Sequence, residues 1–373
     1  MLQTALFSHI ETQYLSQLPF VAYRKPNENI LNAILQKNDT VYEVTDFKES
    51  GFVFAPFNLQ DRTVIFPSET SNCLSTEFKP TLSIDAKPIE YERDKNARDA
   101  HLELIKKGIN GIKAERFKKV VLSRVEKLSL SDKNPIKLFE SLLNTYQSAF
   151  VYVWYHPAIG LWLGATPEIL LTVEGQRFKT MALAGTKPYE NSMHVTWDTK
   201  NIEEQEVVTH YITETLKPYT DRIDTGEVQT TKAGQLLHLK TEISGVFQPG
   251  ALQDVITHLH PTPAVCGMPL KESEAFILAN ENYNREYYAG FLGELNFKTA
   301  KSRNTNRRNV ENNAYQTVKL TSHLYVNLRC MQLKDQGAFI YVGGGITKDS
   351  NALAEWEETV NKSQTMLSVL KTN

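Results

Sequence analysis

Residues 150–183 read FVYVWYHPAIGLWLGATPEILLTVEGQRFKTMAL, and this stretch decides the fold class. Short runs of β-branched, aromatic and leucine residues follow one another, with hairpin signals at HPAIG and EGQ. Strands that come in consecutive runs, rather than alternating with helices, favour an α+β protein with large antiparallel sheets. The stretch therefore predicts two large antiparallel β-sheets packed together and flanked by helices.

Outward from this stretch, strand-like runs continue and a few helical segments separate them. Residues 1 to about 90 contain short strand-like runs, and further strands are predicted at 289–297, 324–333 and 337–346. Helical patterns cover 91–117, a segment from about 197 that stops near Pro218, and a final segment from about 350 to 370. We find no repeat and no Pro- or Ser-rich linker, so we expect one domain over residues 1–373.

The segment 298–316, KTAKSRNTNRRNVENNAYQ, is polar and basic and lies between two predicted strands. The simplest interpretation is an exposed loop. A basic contact site for a partner or for regulation is the alternative.

Composition limits the classes of protein. The net charge of −2 argues against a chain-wide nucleic-acid footprint, and we expect no nucleic-acid partner. The three cysteines (Cys73, Cys266 and Cys330) form neither a disulfide framework nor a zinc-binding spacing, which favours a reducing compartment. With no signal-peptide pattern and no run of about 18 apolar residues, we expect a cytoplasmic protein without a membrane partner.

A triple glycine and a charged helix face stand together near the end of the chain. Residues 342–367 read VGGGITKDSNALAEWEETVNKSQTML, in which Glu355, Glu358 and Lys362 share one helix face. A solvated face with ordinary charge pairing is one interpretation. The other is a ligand site, because GGG is costly in a strand unless the backbone bends or approaches a ligand.

A second helix offers another carboxylate. In TKNIEEQEVVTHYI (199–212) the apolar Ile202, Val207, Val208 and Ile212 mark a predicted buried stripe, with Glu204 near its edge. Glu204 is then either solvated or a ligand for a hard cation such as Mg²⁺, which prefers carboxylates together with substrate oxygens. Glu204 and Glu358 would suit such an ion if the two helices approach each other.

Lys119 and Glu168 are candidates for proton transfer. Lys119 begins the apolar run KVVLSR, so it is either an edge-strand lysine or an inward, partly desolvated amine that could act as a base. Glu168 lies in GATPEILL beside a strand-like run, where a carboxyl group either acts as an acid or forms a salt bridge.

The remaining candidates suggest an anion site. Alternation along YVNLR (325–329) predicts that Tyr325, Asn327 and Arg329 share one strand face, and an arginine among core strands needs an anionic partner. His238 lies in a predicted strand and has the ordinary interpretation of a core histidine. Together the candidates describe one pocket for a small dianion.

The set and order of these motifs resembles the chorismate-utilising enzymes, and within them the isochorismate synthase branch. The motifs that carry the resemblance span about residues 115–370, and the N-terminal residues 1–90 are similar only loosely. They are KVVLSR, GATPEILL, ALAGTKP, KNIEEQEVV, HPTPAVCG, YYAGFLG, VNLRC, YVGGGI and EWEETVNK.

The resemblance implies a role for each matching residue. It implies Mg²⁺ on Glu204 and Glu358 with Glu355 nearby, Lys119 as general base and Glu168 as general acid. It implies a clamp on the enolpyruvyl carboxylate of chorismate and further pocket-lining positions, which are Gly185, Thr186, His238, Ala264, Arg329, Tyr341, Gly343, Gly344, Gly345 and Lys362.

The resemblance also implies a reaction. Branches that use ammonia lack a lysine at the position of Lys119, and aminodeoxychorismate synthases often have a lysine where this chain has Ala184. Water is then the expected nucleophile and isochorismate the expected product, for menaquinone or siderophore biosynthesis. Salicylate synthesis, amine transfer and a non-catalytic chorismate-binding protein remain alternatives, and we expect a monomer.

Overall fold

The chain folds into two antiparallel sheets, as the consecutive strand-like runs predict. The computed structural model describes residues 1–81, 91, 93–130, 134–233, 236–301, 317–334 and 337–370. Within these residues the helices are α1 (Gln3–Leu15), α2 (Lys95–Lys113), α3 (Pro135–Thr145), α4 (Thr199–Leu216), α5 (Leu252–Leu259), α6 (Leu270–Asn280) and α7 (Ala352–Leu367), with a 3₁₀-helix at Lys217–Tyr219.

The described strands, in chain order, are β1 (Phe20–Arg24), β2 (Ile30–Gln36), β3 (Tyr42–Glu43), β4 (Gly51–Ala55), β5 (Val64–Pro67), β6 (Ser71–Glu77), β7 (Lys119–Ser129), β8 (Phe150–His156), β9 (Gly160–Thr166), β10 (Ile169–Glu174), β11 (Arg177–Pro188), β12 (Thr220–Thr225), β13 (Gln229–Ala233), β14 (Leu236–Phe247), β15 (Gly267–Met268), β16 (Phe291–Lys301), β17 (Thr317–Val326), β18 (Cys330–Lys334) and β19 (Gly337–Ile346). The first sheet has the order β15-β7-β19-β18-β9-β8-β1-β2-β6. The second has the order β12-β14-β11-β10-β17-β16-β4-β5-β3, and β13 also pairs with β14.

The main core lies between the two sheets. Phe54 and Phe66 of the second sheet pack against Trp154 of the first, and the rings of Phe66 and Trp154 stack with centroids 5.0 Å apart. All three side chains are fully buried. Burial of each such side chain stabilises the fold by roughly 2–3 kcal/mol, so these rings hold the sheets together.

The outer face of the first sheet is covered by helices. Leu6 and Ile10 of α1 and Phe139 and Leu142 of α3 belong to a second buried cluster that includes Val153 of β8. The prediction of strands alone for residues 1–90 is therefore incomplete, because α1 occupies Gln3–Leu15. Leu6 and Ile10 are one helical turn apart, so both reach the sheet from one face of α1.

The two helices that carry the charged candidates are fixed at their starts. The Asp198 side chain accepts a hydrogen bond from the Asn201 amide at the start of α4, and Asn351 caps α7 through the amides of Leu353 and Ala354. Such caps stabilise a helix start by about 1 kcal/mol. They also fix where each helix begins. Glu355 lies in the first turn of α7, and Glu204 lies in the turn that follows the first turn of α4.

The predicted buried stripe of α4 is partly wrong. Ile202 and Val207 are exposed, whereas Gln205 is buried together with Val208 and Ile212. The Gln205 amide donates to the hydroxyl groups of Thr209 and Thr241, which allows a polar side chain to take the buried position.

The segment predicted as one strand at 324–333 is two strands in different sheets. β17 ends at Val326 in the second sheet and β18 begins at Cys330 in the first. Asn327 fixes the crossover, because its side chain accepts from the Tyr152 hydroxyl at 2.6 Å and donates to the Tyr287 carbonyl at 2.8 Å. Arg329 has a φ of 48°. Tyr325, Asn327 and Arg329 therefore do not share a strand face.

The predicted loop at 298–316 begins later than expected, because β16 continues to Lys301. Residues 302–316 lie outside the described residues, and β17 begins at Thr317. Among the described helices, none has the length and apolar character needed to cross a bilayer.

Candidate active site

A cavity lies where β7 and β19 of the first sheet meet β11, β14 and helices α4 and α7. Its empty volume, including the mouth and open solvent, is about 790 Å³. Thirteen of the fifteen predicted site residues line it: Glu168, Gly185, Thr186, Glu204, His238, Ala264, Arg329, Tyr341, Gly343, Gly344, Gly345, Glu358 and Lys362. The other two do not line the cavity, but each forms an ion pair with a residue of α4: Lys119 with Glu204, and Glu355 with Lys200.

The glycines of β19 allow the charged groups to approach the backbone. The pairing of β19 with β7 places Gly345 opposite Val121, two residues after Lys119. A Cβ atom at residue 345 would lie 2.7 Å from Glu204 Oε1 and 3.1 Å from Lys119 Cε. A side chain there would displace the glutamate or the lysine, so the chemistry of the site requires glycine at this position.

Lys119 forms an ion pair with Glu204. The Lys119 Nζ to Glu204 Oε1 distance is 2.7 Å, and the Lys119 side chain is only 5% exposed. Of the two sequence interpretations, the structure excludes an exposed edge lysine. The pair joins the predicted base on β7 to a predicted metal ligand on α4.

Glu168 is a buried carboxyl group between β9 and β10, at the point where the chain passes from the first sheet to the second. Its backbone carbonyl accepts from the Val326 amide at 3.0 Å, which fixes the turn. Burial raises the pKa of Glu168 to about 7, although the positive charges of Lys119, Lys362 and Arg329 oppose the change. The side chain can therefore hold a proton near neutral pH and donate it.

Lys362 connects α7 to the glycine segment. Its Nζ donates to the Gly343 carbonyl at 3.0 Å and lies 2.6 Å from Glu358 Oε1. Burial by itself would raise the pKa of Glu358, but the charge and hydrogen bond of Lys362 outweigh it and hold that pKa below its usual value. Glu358 is thus ionised at neutral pH.

Glu355 does not line the cavity. It is buried one helical turn before Glu358, and its Oε1 lies 2.7 Å from Lys200 Nζ of α4. Burial raises the pKa of Glu355, and the nearby charge of Glu358 adds to this, while Lys200 opposes it. Sequence reasoning missed Lys200, although its i,i+4 spacing from Glu204 places both on one face of α4.

Arg329 and Tyr341 form one wall. The Arg329 Nη1 donates to Thr365 Oγ1 at 3.2 Å. Burial lowers the pKa of Arg329. Among the described residues, no carboxylate is close enough to Arg329 to form a salt bridge. The Tyr341 ring stacks on Trp162, and its hydroxyl donates to Gln332 Oε1 at 3.1 Å. Arg329 therefore offers the cavity a cation, whereas Tyr341 offers it mainly a ring face.

His238 of β14 is buried but also lines the cavity. Its Nδ1 donates to the Gly185 carbonyl at 2.9 Å, and no described group bonds its buried Nε2. Burial lowers the pKa of His238 to about 3, so the ring is neutral and Nε2 is an acceptor. The Thr186 amide beside it donates to Asn201 Oδ1 at 3.0 Å, which ties this wall to α4.

The donor chemistry fits a hard cation. Glu204 lies beside Gly345, Glu355 and Glu358 lie beside Gly344, and carboxylates are the groups that Mg²⁺ prefers. In the described residues, each of the three is paired with its own lysine, and no group of three potential ligands is close enough to hold a metal. A cation would have to replace part of these lysine contacts.

The cavity has further walls that sequence reasoning did not single out. They are Val121, Pro167, Leu183, Val265, Tyr288, Leu328 and Val342, and Ala184, which the resemblance had drawn attention to, also lines the cavity. Several lie inside the quoted motifs, but a motif alone does not indicate which of its apolar residues face a ligand.

Comparisons with known proteins identify the family of this chain. The family model described as "Chorismate binding enzyme" matches residues 60–301, more than half of the chain, and a second model, "chorismate binding enzyme", matches residues 315–368. The chain is 26% identical to isochorismate synthase MenF of Pasteurella multocida over 328 residues, which cover 81% of this chain and 68% of that protein. It is 28% identical to isochorismate synthase EntC of Escherichia coli over 222 residues, which cover 56% of this chain and only about half (51%) of that protein.

The fold agrees with a solved structure. The crystal structure of DhbC from Bacillus anthracis superimposes with a TM-score of 0.77 at 22% identity, and the match covers 98% of this chain and 99% of that one. This confirms the predicted pair of antiparallel sheets. On the strength of the matched family model, the chain belongs to the chorismate-binding enzymes.

Proposed function

We propose that this protein is an isochorismate synthase that converts chorismate reversibly to isochorismate. Water attacks C2 and the 4-hydroxyl group leaves, so the net change is an isomerisation. The observation that carries the proposal is the buried carboxyl group of Glu168 in a cavity that Glu204 also lines, with the buried amine of Lys119 paired to Glu204 at 2.7 Å. The similarity of the chain to proteins named isochorismate synthase MenF and isochorismate synthase EntC also supports the proposal.

Glu168 is the proposed general acid. A hydroxyl group leaves poorly as hydroxide, so a proton must reach it as the C–O bond breaks. Because burial holds the pKa of Glu168 at about 7, a large fraction of the molecules carry that proton at neutral pH. The three cations around it also stabilise the carboxylate left after transfer.

Lys119 is the proposed general base for the attacking water. It lies at the start of β7 with its Nζ 2.7 Å from Glu204 Oε1 and with little exposure to bulk water. The amine must be neutral to take a proton from the water, so the proposal requires the ion pair with Glu204 to break, as it would when Glu204 binds the proposed cation. A fixed base that orients one water reduces the entropic cost of the attack.

The substrate's two carboxylates have separate partners in this proposal. Arg329 is a buried cation on one wall, and Lys362 is fixed between Glu358 and the Gly343 carbonyl on another. His238 Nε2 is free to accept a hydrogen bond from a substrate hydroxyl group.

We propose Mg²⁺ as the cofactor, with Glu204 and Glu358 as ligands and Glu355 nearby. When bound, it would neutralise the ring carboxylate and orient the ring. The convergence of the three carboxylates on the glycine segment supports this assignment.

Product analysis tests the function. Purified protein is incubated with chorismate and Mg²⁺, with and without ammonium, and the products are separated by chromatography. Isochorismate in equilibrium with chorismate is the expected result. Salicylate with pyruvate would identify a salicylate synthase, an ammonium-dependent amine would overturn the role of Lys119, and no turnover would indicate a binding protein.

We further propose that the enzyme is a cytoplasmic monomer. Three free cysteines, two of them buried, are consistent with a reducing compartment. Gel filtration with light scattering tests the monomer, and fractionation of cells tests the location.

A further inference from the structure

A second cavity adjoins the candidate active site. The two share Pro167, Leu183 and Arg329 as a common wall. The second cavity has an empty volume of about 920 Å³, including its opening. We call it the outer chamber, defined by these three residues together with Lys232 and Lys240.

The outer chamber is positively charged. Among the described residues that line it, the charged ones are Lys232, Lys240 and Arg329, and none is a carboxylate. Hydroxyl and amide groups complete the polar lining, from Asn27, Tyr146, Ser148, Thr231 and Thr365. The inner cavity is different, because its cations face Glu168, Glu204 and Glu358.

Lys240 links the two cavities along one strand. It lies two residues after His238 on β14, so both side chains point to the same face of the sheet. Across the ladder it pairs with Leu183, which belongs to the shared wall. An anion that leaves Lys240 for Arg329 therefore moves towards His238 and the inner site.

The positive charge of Lys240 is only weakly paired within the protein, so it can bind an anionic ligand. Its carboxylate contact, Glu242 Oε2, is 3.9 Å away, and Glu242 also pairs with Lys179 at 3.2 Å. The Lys240 side chain is 29% exposed. Arg329 at the inner end is held by Thr365, which lines the outer chamber as well.

We propose that the outer chamber is the entry route of the dianionic substrate, and that Lys240 is the residue that captures it before Arg329 takes over the carboxylate. This rests on the proposed function, because it requires a substrate with two carboxylates. A cleft lined by one sign of charge raises the local concentration and the association rate of an oppositely charged ligand. Lys232, at the chamber's exposed edge, contributes to the same field.

The test compares Lys240→Gln with Lys179→Gln. Each variant removes one positive charge near Glu242, but Lys179 does not line the chamber, so it is the matched control. Stopped-flow binding gives the chorismate association rate constant, and initial rates give kcat/KM and kcat, each at several ionic strengths.

Lys240→Gln is expected to lower the association rate constant and kcat/KM by roughly threefold to tenfold at low salt, with a weaker salt dependence. The loss should appear in kcat/KM rather than in kcat. Lys179→Gln should change each value by less than twofold. Lys232→Gln, at an exposed position, provides a second variant if Lys240→Gln does not fold.

The outcomes separate the two proposals. If the wild-type protein converts chorismate but the Lys240 and Lys179 variants behave alike, the entry route is wrong and the proposed function stands. If the wild-type protein neither binds nor converts chorismate, both are wrong. A fall in kcat alone would place Lys240 in the chemical step and would also overturn the entry route.

Discussion

Replacing Glu168 with glutamine should stabilise the protein while removing its activity. The carboxyl group is buried, and its pKa rises from the ordinary 4.5 to about 7 because the folded protein disfavours its charge. The amide has nearly the same shape as the protonated carboxyl group and never ionises. Glu168→Gln therefore removes a cost that the native protein bears at neutral pH.

The magnitude follows from the two pKa values. A proton binds Glu168 more tightly in the folded than in the unfolded protein, so this group's contribution to stability is fully present below pH 4.5. That contribution is lost as the pH rises towards about 7. At roughly 1.4 kcal/mol per pKa unit, the difference between the two pKa values corresponds to about 3 kcal/mol of unfolding free energy at pH 8.

Urea unfolding of metal-free protein between pH 5 and 8 measures the effect. The variant's advantage in unfolding free energy should grow with pH and level off above about pH 7. Glu357→Gln, an exposed position on α7, is the control and should give a small difference that does not vary with pH. A Glu168→Gln protein that is no more stable at pH 8 than the wild type would refute the raised pKa and the acid role drawn from it.

Three further predictions concern the neighbouring groups. Lys119→Gln should abolish turnover yet keep Mg²⁺-dependent chorismate binding by calorimetry, and a near-normal rate would show that Lys119 is not the base. Gly345→Ala should lower turnover more than tenfold, because its methyl group would lie 2.7 Å from Glu204 Oε1, whereas Gly344→Ala, with 3.7 Å to its nearest neighbour, should be milder; equal losses in initial-rate assays would contradict this. Lys200→Gln should tighten Mg²⁺ binding by roughly threefold to tenfold in calorimetry, since it removes a competing cation, and unchanged affinity would disprove the competition.

The fold class could be predicted because strand periodicity and hairpin signals are local. The runs in 150–183 become β8, β9, β10 and β11 with the expected turns. The crossover at 327–329 could not be predicted, because an apolar run has the same sequence pattern whether it continues in one sheet or passes to another. Its cause is the set of tertiary hydrogen bonds around Asn327.

The site shows the same division. Chemistry and spacing selected Lys119, Glu204 and Glu358, and the fold brings them to one glycine segment from three separate elements. The pairing of Glu358 with Lys362 was predictable from their i,i+4 spacing, whereas the partner of Glu355 was not, since Lys200 and Glu355 are 155 residues apart. Nor does the sequence indicate that Arg329 borders two cavities, because the alignment of cavities is a property of the packed sheets.

The central claim is that this cavity activates water for attack at C2, and oxygen labelling tests it most directly. The protein is incubated with chorismate and Mg²⁺ in ¹⁸O-water to low conversion, and the isochorismate formed is analysed by mass spectrometry. The account predicts one labelled oxygen in the product, at C2. Unlabelled isochorismate would contradict it, because the hydroxyl group would then have moved without solvent water.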